Sequence, residues 1–328
     1  MTNYQFRSQV EVDSKLAIQI KVIGVCSGGN HAVELMVDKF LVTGDCPGVE
    51  FFCTDTAESA LSTNTAPRLI QLGIETLGTT PPTQDGRWIA DHAGQDIRTA
   101  INGAHILFVI TALDGITGSG AAVVIARLAR EMGILTVVAT ITQPCGFDDA
   151  SRMSCADTYA SLNKLEVSAD ALIVTHDADV LDKTSDQAQI QGSVMLADLV
   201  RDIAIVVNVA GYVGVDFEDI RTVLGQAGKA LIGSGLSRGP ERVRNAVEQA
   251  LMSPLFFEAS MTDADRVLVL ISASEQSFKL PDCKFAMNAI RSSASPEAHV
   301  IYGTTFDDEL GDAIRVTVIA TGLGCRDA

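Results

Sequence analysis

A chain of 328 residues that is 47% hydrophobic and 20% charged, with 24 Lys and Arg against 41 Asp and Glu, carries a net charge of -17. That composition can fill one large core or two smaller ones. It excludes proteins that grip nucleic acid or an anionic membrane through basic surfaces, since phosphate backbones are held by Lys and Arg.

From the amino terminus, "IQIKVIGVC" (18–26) reads as a buried strand and "HAVELMVDKFLV" (31–42) as a helix with apolar residues at helical spacing. "VEFFCTD" (49–55) is a strand and "RLIQLG" (68–73) a short one. "GQDIRTAING" (94–103) is a helix ending on Gly103, a usual C-terminal cap residue. "HILFVITAL" (105–113), the helix inside "DGITGSGAAVVIARLAREMG" (114–133) and "ILTVVATI" (134–141) form a β-α-β unit, and a helix over 148–163 leads into the strand "ALIVTHD" (171–177). This rhythm predicts an α/β fold: a Rossmann-like, mostly parallel sheet with helices on both faces. A long helix over 186–207 acts as a divider. After it, "GYVGVDFEDIRTVL" is a loop entering a helix, followed by strands at 266–273, 298–304 and 313–321 and helices at 240–252 and 283–294. The predicted organisation is a ligand-binding domain over 1–185 with 1–15 as a flexible lead, the core helix 186–207, a smaller α/β domain over 208–323 and a short tail 324–328.

The opening "MTNYQFRSQVEVDSK" is polar and no apolar run approaches the roughly 20 residues of a membrane span, so a cytoplasmic protein without direct membrane binding is expected. The seven cysteines are odd in number and form no C-x-x-C pair, which predicts reduced thiols. The five histidines are scattered without ligand spacing to a cysteine, and no metal-binding residues are predicted. Trp88 and the pair Phe256 and Phe257 read as packing residues.

In an open parallel sheet, ligands bind at the carboxyl ends of strands, where loops enter helices. Two glycine-rich loops fall there, "GVCSGGNHAV" (24–33) and "DGITGSGAAV" (114–123). Glycine lets the backbone approach phosphate oxygens, and the following helix start offers free N–H groups and a partial positive charge. Thr117 and Ser119 add hydroxyl donors. A β-α turn often needs glycine anyway, yet two such loops in one sheet favour a phosphate-bearing ligand. No G-x-x-x-x-G-K-S/T occurs, and the dinucleotide pattern G-x-G-x-x-G fails at Cys26 and again at Val123, which disfavours nicotinamide and flavin.

"TALDGITGSGAAVVIARLAREMGILTVVATITQP" resembles the signature segment of the tubulin/FtsZ family, and "IQIKVIGV", "VDFEDIRTVLGQAGKALIGSG" and "DDELGDAIRVTVIATG" are similar to its other segments in the same order. The resemblance covers nearly the whole chain and points to the FtsZ branch. It implies a tubulin/FtsZ-like fold with a GTP-binding domain, a core helix and a C-terminal activation domain. It implies GTP/GDP with Mg2+ as ligands, head-to-tail polymers of this chain, and hydrolysis at the subunit interface in a process related to bacterial cell division. Asp216 and Asp219 match the two acidic positions that act on the neighbouring subunit's nucleotide. From the residues alone they also read as an N-cap and capping box for the helix after Asp216, and the two roles are compatible. Gly28, Gly29 and Asn30 match the first phosphate loop, and Gly115, Ile116, Thr117, Gly118, Ser119 and Gly120 the second. Asp148 stands at the ribose position, Arg152 at a basic nucleotide contact, and Ser193 with Val194 where the family reads guanine.

The likeness departs mainly around the nucleotide. Asp114 and Ile116 replace glycines of the signature, Cys26, Ser27 and Asn30 replace glycines of the first loop, and His31, Asp55, Asp177 and Gly214 stand where asparagines are usual. Val194 cannot accept the guanine N–H groups. The expectation is an FtsZ-like GTPase with altered nucleotide handling; the alternative is a nucleotide-deficient subunit that modulates another filament. The chain stops at "ATGLGCRDA", so tail-binding membrane adaptors are not expected, while copolymerisation with a full-length FtsZ is a further expectation.

Overall fold

The computed structural model describes residues 17–43, 48–56, 61, 64, 66–72, 93–113, 116–142, 155–176, 185–209, 211–253 and 261–323. Strands β1 (Ile20–Val25), β2 (Val49–Asp55), β3 (Arg68–Gln71), β4 (Ile106–Ala112), β5 (Leu135–Thr142) and β6 (Ala171–His176) are joined by helices α1 (Cys26–Thr43), α2 (Gly94–Ile101), α3 (Ile116–Glu131) and α4 (Cys155–Ser168). The long helix α5 (Ser185–Asn208) follows, then α6 (Phe217–Leu224), β7 (Gly228–Ser237), α7 (Arg242–Leu251), β8 (Arg266–Ala273), α8 (Leu280–Ser293), β9 (His299–Phe306) and β10 (Ile314–Thr321). The ten strands run in the order β3-β2-β1-β4-β5-β6-β7-β10-β8-β9, parallel as far as β7, with β10 antiparallel to both its neighbours. The two halves meet along a short ladder in which Ala171, Leu172 and Ile173 face Gly228, Lys229 and Ala230. No helix of the described residues is long and apolar enough to cross a membrane.

The mixed α/β architecture expected from the alternating pattern is present. Strands β1 and β4 are buried at every position because helices cover both faces, which is why they read as mostly apolar runs; Lys21 in β1 is accommodated by donating to Ala100 O and Asn102 O at 2.7 and 2.9 Å. One core packs α1, α5 and α6 on the sheet through Met36, Phe108, Ile203 and Ile220. The other face carries α2, α3 and α4 through Ile97, Ile125 and Leu165. A third core joins α7 and α8 to β8 and β10 through Val247, Ile290, Val269 and Val318.

Three differences from the sequence reading have physical reasons. Helix α1 begins at Cys26 rather than at 31, so most of the first glycine loop is the first turns of a helix; α3 likewise begins at Ile116. Helix α4 continues to Ser168, beyond the predicted end at 163, because Leu165 extends its fully buried stripe; residues 148–154 lie outside the described ones. Strand β7, "GKALIGSGLS", is absent from the predicted strands. Its glycines weaken the strand signal, yet Gly235 is required, since a Cβ there would stand 2.0 Å from the Ala246 carbonyl oxygen on α7.

A buried ionic cluster fastens α5 to the second half of the sheet. Arg315 donates to Asp198 and Asp202, each at 2.9 Å, and Arg201 forms an ion pair with Asp307. Thr317 and Ser272 donate to the fully buried Asp202 at 3.0 and 3.2 Å. Burial acts to lower the pKa of Arg315, but Asp202, Asp198 and Asp307 outweigh it and the guanidinium is held upward, permanently charged.

Candidate active site

At the carboxyl ends of the parallel strands, β1 and β4 are neighbours, with Gly24 opposite Ile110; β1 turns straight into α1, and α3 begins at Ile116, four positions after the last residue of β4. Cys26 makes the first turn with φ of 56°, a left-handed conformation that takes the chain from strand to helix without a longer loop. The starts of α1 and α3 converge, for a Cβ built on Gly118 would lie 3.6 Å from Cys26 Cβ. The first N–H groups of an α-helix have no intrahelical acceptor and carry the positive end of its dipole. Two such starts side by side form a donor-rich floor suited to an anionic group. The residues present therefore fit a phosphate-bearing ligand at the level of the backbone.

Several predicted site residues are also held by the protein itself. A Cβ on Gly29 would meet the Ile110 carbonyl oxygen at 2.2 Å, so this glycine lets α1 lie on β4. Asn30 is buried and clamps the main chain on both sides of Thr54 in β2: its Nδ2 donates to Thr54 O at 3.1 Å and its Oδ1 accepts from Thr54 N at 3.2 Å. Thr54 Oγ1 in turn donates to Gly24 O at 2.9 Å. The sequence reading missed this clamp; an asparagine one turn into a helix, followed by a threonine in the next strand, is the signal that marks it. Gly28 is buried in the same turn of α1, and Gly118, Ser119 and Gly120 are buried in the first turns of α3, which Ile116 and Thr117 open. On α5, Gly192 packs against Thr175 at the end of β6, Ser193 is fully buried, and Val194 is 41% exposed. Gly115, Asp148 and Arg152 lie outside the described residues, as do Asp114, Asp177, Trp88, Phe256 and Phe257. Burial pushes the Cys53 thiol up to about 12, against a hydrogen bond with Asn64 that lowers it and with Glu34 adding to the rise, so it is neutral and unreactive at ordinary pH. Cys53 and Cys283 are free thiols.

Helix α5 has 24 residues and so spans about 36 Å, which carries the chain to the opposite pole. There Asn208 holds the residue that leads into β1: Ile18 N donates to its Oδ1 at 2.7 Å and its Nδ2 donates to Ile18 O at 3.0 Å. The acidic loop follows. Asp216 caps α6, accepting from Asp219 N at 2.9 Å, while Asp216 N donates to Asp219 Oδ2 at 3.1 Å. The box engages one oxygen of each carboxylate; each has two, so capping leaves acceptor capacity for a water. Asp216 is exposed and Asp219 half-buried. Phe217 meets His105, at the start of β4, at 5.8 Å, and Arg221 lies over the Phe217 ring at 4.8 Å. The acidic pair thus sits at the amino ends of the strands, one strand length from the convergent helix starts. For the six residues of β1 that separation is about 20 Å. The structure brings Asp216 and Asp219 together, gathers the α1 and α3 residues together, and keeps the two groups apart within one chain.

Comparison with known proteins adds to this geometry. The family described as "Tubulin/FtsZ family, GTPase domain" matches residues 19–185, and "FtsZ family, C-terminal domain" matches 228–324. The chain is 36% identical over 315 residues to "Cell division protein FtsZ" of Pseudomonas putida, covering 94% of this chain and 77% of that protein. It is 35% identical to the protein of the same name from Coxiella burnetii, covering 93% and 79%. Among solved structures, "FtsZ dimer, empty" from M. jannaschii superposes with a TM-score of 0.82 at 24% identity, covering 95% of this chain and 90% of that one. The GTPγS-bound protofilament of CetZ2 from Haloferax volcanii superposes with a TM-score of 0.70 at 17% identity, covering 94% and 95%, a likeness of fold.

Proposed function

The chain belongs to the tubulin/FtsZ family, and from that premise we propose that it binds GTP, polymerises head to tail and hydrolyses GTP where two subunits meet, as a cytoplasmic FtsZ-type subunit related to cell division. The observation that carries this reading is the placement of two chemically complementary groups at opposite poles of one sheet. A donor floor at one pole and the Asp216 and Asp219 carboxylates at the other form a complete site only when a second copy stacks on the first.

The proposed roles follow from the chemistry of phosphoryl transfer, in which positioned donors take up developing charge and a carboxylate orients the water. Phosphate oxygens lie against the starts of α1 and α3, on backbone N–H groups at Gly28 and Gly29 and at Ile116, Thr117, Gly118 and Ser119, with Gly120 giving room beside them and Gly115 preceding the helix. Asp148 and Arg152 contact the ribose side, and Ser193 lies toward the base. Asp216 and Asp219 polarise a water that attacks the γ-phosphorus of the neighbouring subunit's GTP, releasing phosphate and leaving GDP. Among the described residues no cluster of three or more His, Cys, Asp or Glu is arranged to hold a metal, so Mg2+ is proposed to arrive on the phosphates, whose charge it neutralises. The domain division at 185 and 208, and copolymerisation with a full-length FtsZ, belong to the same reading.

A second reading, a nucleotide-deficient subunit that modulates another filament, is favoured by two observations. Val194, at the base-reading position, is an exposed apolar side chain, and the Asn30 amide of the first loop is engaged by Thr54. Phosphate release across rising protein concentration, with GTP and separately ATP in Mg2+, separates the readings. A faster-than-linear rise with GTP alone is expected. Release with both nucleotides means base selectivity is lost, and no release from folded protein leaves the modulator reading.

A further inference from the structure

The segment that presents Asp216 is laid along β9 like an extra strand. Residues 211, 213 and 215 face inward while Tyr212, Gly214 and Asp216 are exposed, a period of two. Three contacts set its register. Gly211 lies so close to β9 that a Cβ there would stand 1.8 Å from Thr304 O. Val213 donates its N–H to Thr304 Oγ1 at 2.8 Å, and Thr304 donates its own N–H to Val213 O at 2.9 Å. Val215 sits over Gly303, where a Cβ would meet Val215 Cγ2 at 2.6 Å and Val206 Cγ2 at 2.7 Å. Thr304 is fully buried. Outside the strap, Tyr212 packs at a tilt of 39° and 5.5 Å against Phe278, which meets Phe306 edge-on at 5.6 Å. The neighbouring Thr305 donates to Ser272 at 2.7 Å, and Ser272 donates to Asp202, so β9 is tied to α5 through the buried ionic cluster.

We propose that Thr304 is a positioning residue for hydrolysis: its hydroxyl and peptide lock the 211–215 segment in register on β9, so that Asp216 emerges outward toward the next subunit. A slip of one residue inverts the alternation and turns Asp216 inward. The inference rests on the role proposed above for Asp216, and it makes the C-terminal sheet the part that aims the catalytic carboxylate.

The test uses the full chain and Thr304→Val, which keeps the branched shape and removes the acceptor, beside Thr304→Ser, which restores it. GTP affinity of dilute subunits, sedimented polymer, phosphate release per sedimented subunit and amide exchange over 211–219 are measured. Thr304→Val is expected to leave GTP affinity unchanged and to lower turnover per assembled subunit at least about fivefold, the ratio set by one net hydrogen bond. Exchange at Val213 should accelerate, and Thr304→Ser should recover both. Turnover per assembled subunit equal to wild type, or a loss that Ser does not recover, overturns the inference alone. Wild-type protein that releases no phosphate at any concentration overturns the proposed function and this inference with it. Should Thr304→Val fail to fold, Gly211→Ala decides the matter by pushing the segment off β9: the same loss supports the strap, and normal turnover overturns it.

Discussion

The two poles of the sheet use small and acidic residues in opposite ways. At the carboxyl pole, the glycine and asparagine that suggest a ligand loop are engaged by packing: Gly29 admits β4, and Asn30 clamps Thr54. What remains for a ligand is the peptide N–H groups at two helix starts. At the amino pole, Asp216 is exposed, a Cβ added at Gly214 would meet nothing within 4 Å, and the segment is fixed by backbone and by one threonine hydroxyl. A ligand site made of backbone tolerates changes of side chain as long as the helices start in the same place. A site made of two carboxylates does not, so on the proposed reading replacements such as Ile116 in the glycine loops are tolerated where a change at Asp216 or Asp219 is not.

The sharpest way to break this comparison is to separate capping from chemistry at Asp216. Asp216→Ser keeps an N-cap oxygen but removes the carboxylate. Turnover is expected to fall about 10²- to 10⁴-fold, with thermal stability and GTP affinity near wild type. Asp216→Ala should show the same loss plus about 1 kcal/mol of destabilisation from the missing cap. If Asp216→Ser turns over normally, the aspartate is a cap and nothing more.

The link between the poles is the next largest target. Asp202→Ala leaves Arg315 buried with one carboxylate fewer and strands Thr317 and Ser272. Breaking a buried pair from one side costs about 3–5 kcal/mol, and the denaturant midpoint should drop accordingly, with β9 the strand that loosens.

Exchanging glycines tests the comparison directly. Gly29→Ala places a methyl against the Ile110 carbonyl and should destabilise by about 1–3 kcal/mol, read by urea unfolding. Gly214→Asn, which restores the residue the family resemblance places there, meets open space and should change stability by less than about 0.5 kcal/mol. Equal destabilisation by both substitutions would mean the acidic segment is packed as tightly as the glycine pole.

The last effect is absent at neutral pH and concerns Cys53, whose thiol burial lifts from 9.0 to about 12. A buried thiol favours folding only while neutral, so its contribution is complete below pH 9 and is lost as pH rises toward 12. Unfolding free energy should decline over that window, less steeply in Cys53→Ala. A thiol reagent should leave Cys53 untouched in folded protein at pH 8, as it should Cys283, which burial and then Asp282 raise to about 11.

Much of this is legible in the residues. Mostly apolar, β-branched runs without strict alternation mark β1, β4 and β5, because a parallel sheet covered on both faces has no polar side to alternate with. Asp216 and Asp219, three apart before an apolar stripe, mark the capping box that forms. The start of α1 is not legible, because glycines so near a strand end look like a loop, while Cys26 in a left-handed turn lets the helix begin at once. Nor is β7, whose glycines make sense only against the carbonyl of Ala246, a residue on another element.

Local chemistry, then, is what the sequence determined by itself: periodicity selected strands and helices, caps ended them, and motifs in order along the chain pointed to the tubulin/FtsZ family and to the candidate carboxylates. The tertiary structure alone decided where those pieces stand. That Asp216 lies one strand length from the convergent helix starts, and that its segment is held in register, depends on residues 91 positions apart, Val213 and Thr304, and 190 positions apart, Ile18 and Asn208, meeting in space. Such contacts have no periodicity and no local signature; they exist only once every core is packed.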